Sequence, residues 1–152
     1  MARMTVTALI AACVVLIAGC ALARGVPEEA KAIGEQYYEA AKAMDLDRMV
    51  SLYSPSFYDL SNPKLTEAEW RARLAEMREK LGELEDYRLT DSSVRTFAGT
   101  GAPSGTYYEL AYEVKYSKHK ATEKITIFEP PNGSDQDLKI LGYSVASTAF
   151  AQ

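Results

Sequence analysis

Glu123 is the residue whose type and spacing point most directly to internal chemistry. Its neighbours at a spacing of two residues, Ala121, Ile125 and Ile127, are all apolar. Residues with this spacing share one face of a β-strand, so Glu123 is predicted to face the interior with them. Burial raises the pKa of a carboxyl group and suits it to act as an acid or a base. A rim position, an ion pair with a basic residue on a neighbouring strand, and a bulge that turns the side chain outward are the alternatives.

Aromatic side chains are the second candidate set, because the chain carries ten tyrosines and one tryptophan. Such side chains bury much apolar area and still offer a polar group to a partner. They line a cavity for a small ligand or fill the core, and in a domain this small most of them are expected to be core. The candidates for the interior and for a pocket there are Tyr37, Tyr58, Trp70, Tyr108, Tyr112 and Tyr143.

Other reactive residue types stand where we expect no chemistry. His119 lies between two lysines at a predicted hairpin turn, whereas a catalytic histidine needs a sheltered site and an orienting carboxylate. Gly99, Gly101 and Gly105 precede a predicted strand, whereas a phosphate-binding loop precedes a helix. We therefore assign no catalytic residue and expect no cofactor.

Composition excludes several classes of function. The chain has 152 residues, 47% of them hydrophobic and 25% charged, which is typical of one globular domain. Its net charge of -4 gives no electrostatic basis for binding nucleic acid. One histidine and two cysteines are too few for a cysteine/histidine metal cluster, so no metal is expected.

The N-terminus has the features of a secretion signal. Arg3 supplies a positive charge, and the uncharged run from Met4 to Ile17 follows it. That run is shorter than the roughly 20 residues that a membrane-spanning helix needs. Small residues then lead to Cys20, which is typical of a cleavage site.

The sequence Ile-Ala-Gly-Cys at residues 17–20 resembles the lipobox of bacterial lipoproteins. The resemblance implies cleavage before Cys20 and lipid on Cys20, so that residues 1–19 are a signal peptide and 20–26 a short tether. Several acyl chains would hold the protein durably at a membrane. Ala21, in place of an aspartate, implies the periplasmic face of the outer membrane in the cell envelope. Ordinary cleavage near residues 21–23 and an uncleaved anchor helix are the alternatives.

The remaining residues, 27–152, are predicted to form a single domain of helices followed by strands. Thr66 and Glu69 form a capping box, and Leu65 and Trp70 occupy the positions of a hydrophobic staple. The pattern therefore predicts a helix that begins after Thr66, with Trp70 in the core. Its end is predicted at Gly82. The other predicted elements are helices at 27–44 and at 46–53, a loop at 54–63, and strands at 86–97, 106–117, 120–129 and 137–148.

Helices that precede an antiparallel sheet indicate an α+β fold with the helices on one face of the sheet. The segments AMDLDRMVSLYSPSF and LKILGYSV resemble the nuclear transport factor 2-like superfamily, of cystatin-like fold. Over residues 27–150 this resemblance implies a curved four-stranded sheet that forms a cone with the helices, and the cone can hold a pocket. Catalytic members carry sets of Asp with Tyr, Asp with His, or Arg, and no such set is matched here.

Two classes of function follow from the sequence. The first is a membrane-anchored envelope lipoprotein that binds an envelope protein or a small ligand without catalysis. The second is a small hydrolase or isomerase that uses an acid/base residue such as Glu123 in the cone. The sequence favours the first class, because it places no nucleophile in a recognisable setting and lacks metal ligands.

Overall fold

The structure, a computed structural model, describes residues 25–134 and 137–151. The predicted signal peptide and Cys20 lie outside these ranges. Among the described residues, no helix has the length and apolar character needed to span a membrane.

Helices form the first half of the described chain. The helix predicted to begin after Thr66 is capped on both sides, because Glu69 N–H donates to the Thr66 hydroxyl and Thr66 N–H donates to the Glu69 carboxylate. The capping box is thus confirmed. The helices are α1 (Glu28–Lys42), α2 (Leu46–Ser51), α3 (Pro55–Leu60) and α4 (Glu67–Leu81).

Two helix predictions were wrong in instructive ways. The segment 54–63 was predicted to be a loop, but it contains α3, which Ser54 caps through its hydroxyl. Pro55 begins this helix because its fixed φ suits the first helical position. Met44 was predicted to lie within the first helix, but it has a left-handed φ of 58° beyond the end of α1. Its N–H and that of Asp45 donate back to α1 carbonyls, a Schellman ending in which the left-handed residue is usually glycine.

Strands form the second half, and each bound falls within two residues of its prediction. They are β1 (Leu84–Phe97), β2 (Gly105–Tyr116), β3 (Lys120–Glu129) and β4 (Lys139–Ala146). They pair as an antiparallel sheet in the order β1-β2-β3-β4. The predicted α+β fold, with N-terminal helices on a curved four-stranded sheet, is confirmed.

The core lies between the helices and one face of the sheet. Alternate residues of β2 and β3 are buried, because the period of a strand is two residues. Helix α1 comes close to β2 at Gly34, where a Cβ atom would lie 2.2 Å from the Tyr112 hydroxyl oxygen. A side chain at position 34 would therefore require the Tyr112 ring or α1 to move.

Candidate functional site

A buried polar cluster lies between the helices and the sheet, centred on Glu123. The side chain of Glu123 is 0% exposed. Tyr38 on α1 donates a hydrogen bond of 3.1 Å to its Oε2, and Tyr116 on β2 donates one of 2.5 Å to its Oε1. The predicted inward orientation is confirmed. The rim and bulge alternatives are wrong, because Glu123 lies in regular register opposite Tyr112.

The surroundings of Glu123 favour its neutral form. Burial raises the pKa of the Glu123 carboxyl above its ordinary value, and the hydrogen bond from Tyr116 is the largest influence that opposes the rise. Burial, followed by the charge of Glu123, also raises the pKa of the Tyr38 hydroxyl. The cluster thus holds its protons more firmly than the same groups would in water.

Arg78 completes the cluster and was not predicted. It is only 4% exposed, and its guanidinium carbon lies 5.5 Å from the centre of the Tyr116 ring. Within the described chain, none of its three guanidinium nitrogens donates a hydrogen bond. The signal was present in the sequence, because Arg78 continues the four-residue spacing of Trp70 and Leu74. A charged side chain is seldom fully buried, so its type gave no reason to expect this position.

The aromatic candidates divide into groups that pack directly on one another. The Tyr143 ring lies 5.6 Å from Tyr37 and 5.8 Å from Trp70, measured between centroids. Tyr112 lies 4.6 Å from Tyr38, a residue that was not among the candidates. These rings fill the interior by mutual contact, as expected of core aromatics.

Two aromatic candidates lie apart from these groups. Tyr58 is half-buried beside Phe57, and its hydroxyl donates to the backbone carbonyl of Val50 at 3.4 Å. The Tyr108 hydroxyl donates to the Glu129 carboxylate at the other end of β2. The structure therefore does not gather all the predicted pocket residues around one space.

A groove opens at the C-terminal end of α4, and we call it the Arg78 groove. Arg78 is the one buried residue among its nine lining residues, so it forms the floor. The full lining is Met44, Leu46, Ala75, Arg78, Glu79, Gly82, Glu83, Ser117 and Lys118.

A second groove differs from the Arg78 groove in its size and in the residues that line it. The Arg78 groove has a volume of about 450 Å³. The second groove is open and has a volume of about 940 Å³. Charged residues at the ends of the strands help to line it, among them Arg88, Glu113 and Lys120. Only the smaller groove reaches the buried cluster, because Arg78 lines it and none of the larger groove's lining residues belongs to the cluster.

Polar groups at the mouth of the Arg78 groove are held in place by backbone contacts. The Ser117 hydroxyl oxygen accepts a 2.9 Å hydrogen bond from Glu83 N–H. The Lys118 ammonium donates a 2.8 Å bond to the Glu79 carbonyl. These contacts fix the turn after β2 against the end of α4.

His119 and the glycine-rich segment have the structural roles predicted for them. His119 lies in the turn between β2 and β3, where its carbonyl accepts from Tyr116 N–H at 2.9 Å. Residues 98–104 join β1 to β2 as a hairpin connection. No group of three or more metal-ligating side chains occurs in the part of the chain that the structure describes.

A family model described as a protein of unknown function, DUF4019, matches residues 35–143. This chain belongs to the DUF4019 family. The matched range contains Tyr38, Arg78, Tyr116 and Glu123, so the whole polar cluster lies within the DUF4019 domain. The search of curated proteins gives no match.

The cluster of this DUF4019 chain combines a fully buried carboxyl group with a cation whose donors have no acceptor within the described ranges. Both Glu123 oxygens accept hydrogen bonds from tyrosines, and the side chain has no exposed surface. Arg78 has a permanent positive charge and, among the residues that the structure describes, no acceptor for its donors. It also lies at the floor of a groove. Such an arrangement suits the binding of an anion better than proton transfer.

Proposed function

We propose that this protein is a bacterial envelope lipoprotein, anchored by lipid on Cys20 at the periplasmic face of the outer membrane. Its domain, residues 27–152, acts as a binding module without catalysis. The anchor rests on the uncharged run that ends in Ile-Ala-Gly-Cys. The resemblance to nuclear transport factor 2-like proteins belongs to the same proposal, and the order of helices and strands is compatible with it.

Arg78 is the observation that favours binding. A buried guanidinium is costly unless acceptors surround it, and the nitrogens of Arg78 have none in the described chain. A partner that enters the groove can supply them. The alternative, acid/base catalysis by Glu123, requires the carboxyl to reach a substrate proton within hydrogen-bond distance. Its complete burial argues against such access.

The anchor is tested by metabolic labelling of the full-length protein with a clickable fatty acid. The unchanged protein is expected to be labelled and to fractionate with the outer membrane on a density gradient. Cys20→Ser should abolish the label, whereas Cys13→Ser, which changes the other cysteine, should retain it. A Cys20→Ser variant that is still labelled and stays in the membrane fraction would rule out the lipoprotein proposal.

A further inference from the structure

The floor of the Arg78 groove offers donors for an acidic group. A guanidinium has five N–H donors and stays charged at all relevant pH values. The neighbouring acid, Glu123, has both oxygens occupied by Tyr38 and Tyr116. Arg78 therefore combines a buried positive charge with guanidinium nitrogens that form no hydrogen bond of normal geometry in the described chain. Its charge acts on the Tyr116 hydroxyl and on Glu123.

The mouth of the groove adds weaker donors. The Ser117 oxygen accepts a hydrogen bond from the backbone, which leaves its hydroxyl hydrogen free to donate. Lys118 uses one of its three ammonium donors on the Glu79 carbonyl. Both residues line the groove together with Arg78, so a bound acid can meet more than one donor.

The walls of the groove are apolar on one side. Met44, Leu46 and Ala75 line it, and Met44 is 57% exposed despite its apolar side chain. Met44 lies just beyond the end of α1 and has a left-handed backbone conformation. An apolar portion of a ligand would find contact area here.

Charge balance limits the kind of anion that fits. The lining has two cations, Arg78 and Lys118, and two exposed carboxylates, Glu79 and Glu83. The carboxylates at the mouth repel a dianion such as phosphate more than a monoanion. A volume of about 450 Å³ is in the usual range for small-molecule sites.

We infer that the Arg78 groove binds a monocarboxylate with a short apolar portion, the acid on Arg78 and the apolar portion against Met44 and Leu46. This inference rests on the proposed function as a binding module. The same chemistry is offered by a free organic acid and by the C-terminal carboxylate of a peptide.

Saturation-transfer NMR on the full-length lipidated protein in nanodiscs tests the ligand class, with empty nanodiscs as the blank. Hexanoate is compared with hexanamide, which has the same shape and no charge. Hexanoate is expected to bind saturably and about tenfold more tightly, because a charged hydrogen-bond partner is the stronger one. Equal binding of acid and amide, both for this pair and for the peptide pair described below, would overturn the inference.

Two variants at exposed Met44 and one at the buried floor locate the site. Met44→Glu replaces the apolar contact with a negative charge that also repels the acid within the same groove, and should weaken hexanoate binding about fivefold to tenfold. Met44→Gln, of similar size and neutral, loses only the apolar contact and should weaken binding less than Met44→Glu does. Arg78→Met should abolish binding, and its melting temperature is measured in parallel. Identical hexanoate affinities for the two Met44 variants would contradict the proposed position.

A peptide pair identifies the source of the carboxylate. N-acetyl-alanyl-leucine is compared with its C-terminal amide in the same experiment. Binding of the free-acid peptide alone would support the inference with a chain terminus as ligand, and binding of hexanoate alone would support it with a free acid. If neither acid binds better than its amide, the inference fails. Labelling at Cys20 is read separately, so loss of the anchor proposal is distinguishable from loss of this one.

Discussion

Carboxylates on the two faces of the sheet have different kinds of partner. On the outer face, Glu109 of β2 lies 2.9 Å from an Arg95 nitrogen and 3.9 Å from the Lys124 ammonium. On the inner face, Glu123 of β3 is bonded to the neutral hydroxyls of Tyr38 and Tyr116. The outer carboxylate is paired with cations, whereas the hydrogen bonds of the inner one come from tyrosines, and Arg78 acts on it only through its charge.

The difference shows that burial, more than charge, decides how much these contacts contribute to the free energy of unfolding. An exposed ion pair gains little, because water and salt screen it and both side chains lose freedom. A buried carboxyl group has no water to replace a lost partner, so each of its hydrogen bonds matters. The comparison therefore predicts large effects on the inner face and small ones on the outer face.

The largest effect is expected for Glu123→Ala. It leaves the hydroxyls of Tyr38 and Tyr116 without their acceptor and opens a cavity, at a cost of about 3–6 kcal/mol in the free energy of unfolding. Urea unfolding monitored by circular dichroism measures this cost. A loss below about 1 kcal/mol would place Glu123 on the same footing as the exposed carboxylates.

The variant Glu123→Gln tests the burial of this carboxyl group through the pH dependence of stability. Because the folded pKa of Glu123 is raised, the native state retains a proton that the unfolded chain releases above about pH 4.3. The unchanged protein should therefore lose stability as pH rises from that value through the folded pKa. The Gln variant does not titrate here, so its stability relative to the unchanged protein should increase from pH 4 to pH 7. A constant difference over that range would contradict the raised pKa.

The next largest effect is expected for Trp70→Ala, because Trp70 is only 9% exposed and the substitution removes its large ring. The expected loss in the free energy of unfolding is about 3–5 kcal/mol. Thr66→Ala, which removes a cap and no packing, serves as the control at about 1 kcal/mol. Fluorescence offers a direct check, since Trp70 is the sole tryptophan. Native emission should be blue-shifted and should move red on unfolding, whereas emission like that of free indole would indicate an exposed ring.

The smallest effect is expected on the outer face, for the pair of Arg88 and Glu113. Their nitrogen and oxygen atoms lie 2.6 Å apart, and both side chains are largely exposed. A double-mutant cycle with alanine should give a coupling energy of about 0.2–1 kcal/mol that falls with added salt. A coupling as large as the loss in Glu123→Ala would remove the contrast between the two faces.

Local patterns in the sequence predicted the elements well. The capping box located the start of α4, and the alternation of residues located the strands and the inward side of Glu123, because caps and strand periodicity depend on neighbouring residues. The short α3 was missed because Pro55 can end one helix or begin another.

The sequence by itself determined the α+β fold, the bounds of the strands and the burial of Glu123 and Trp70. Only the tertiary structure decided which side chains meet. Tyr38, Arg78, Tyr116 and Glu123 come from α1, α4, β2 and β3, and no local pattern relates positions so far apart. The burial of Arg78 depends on how α4 lies against the sheet, because a charged side chain enters the interior only where the surrounding elements enclose it.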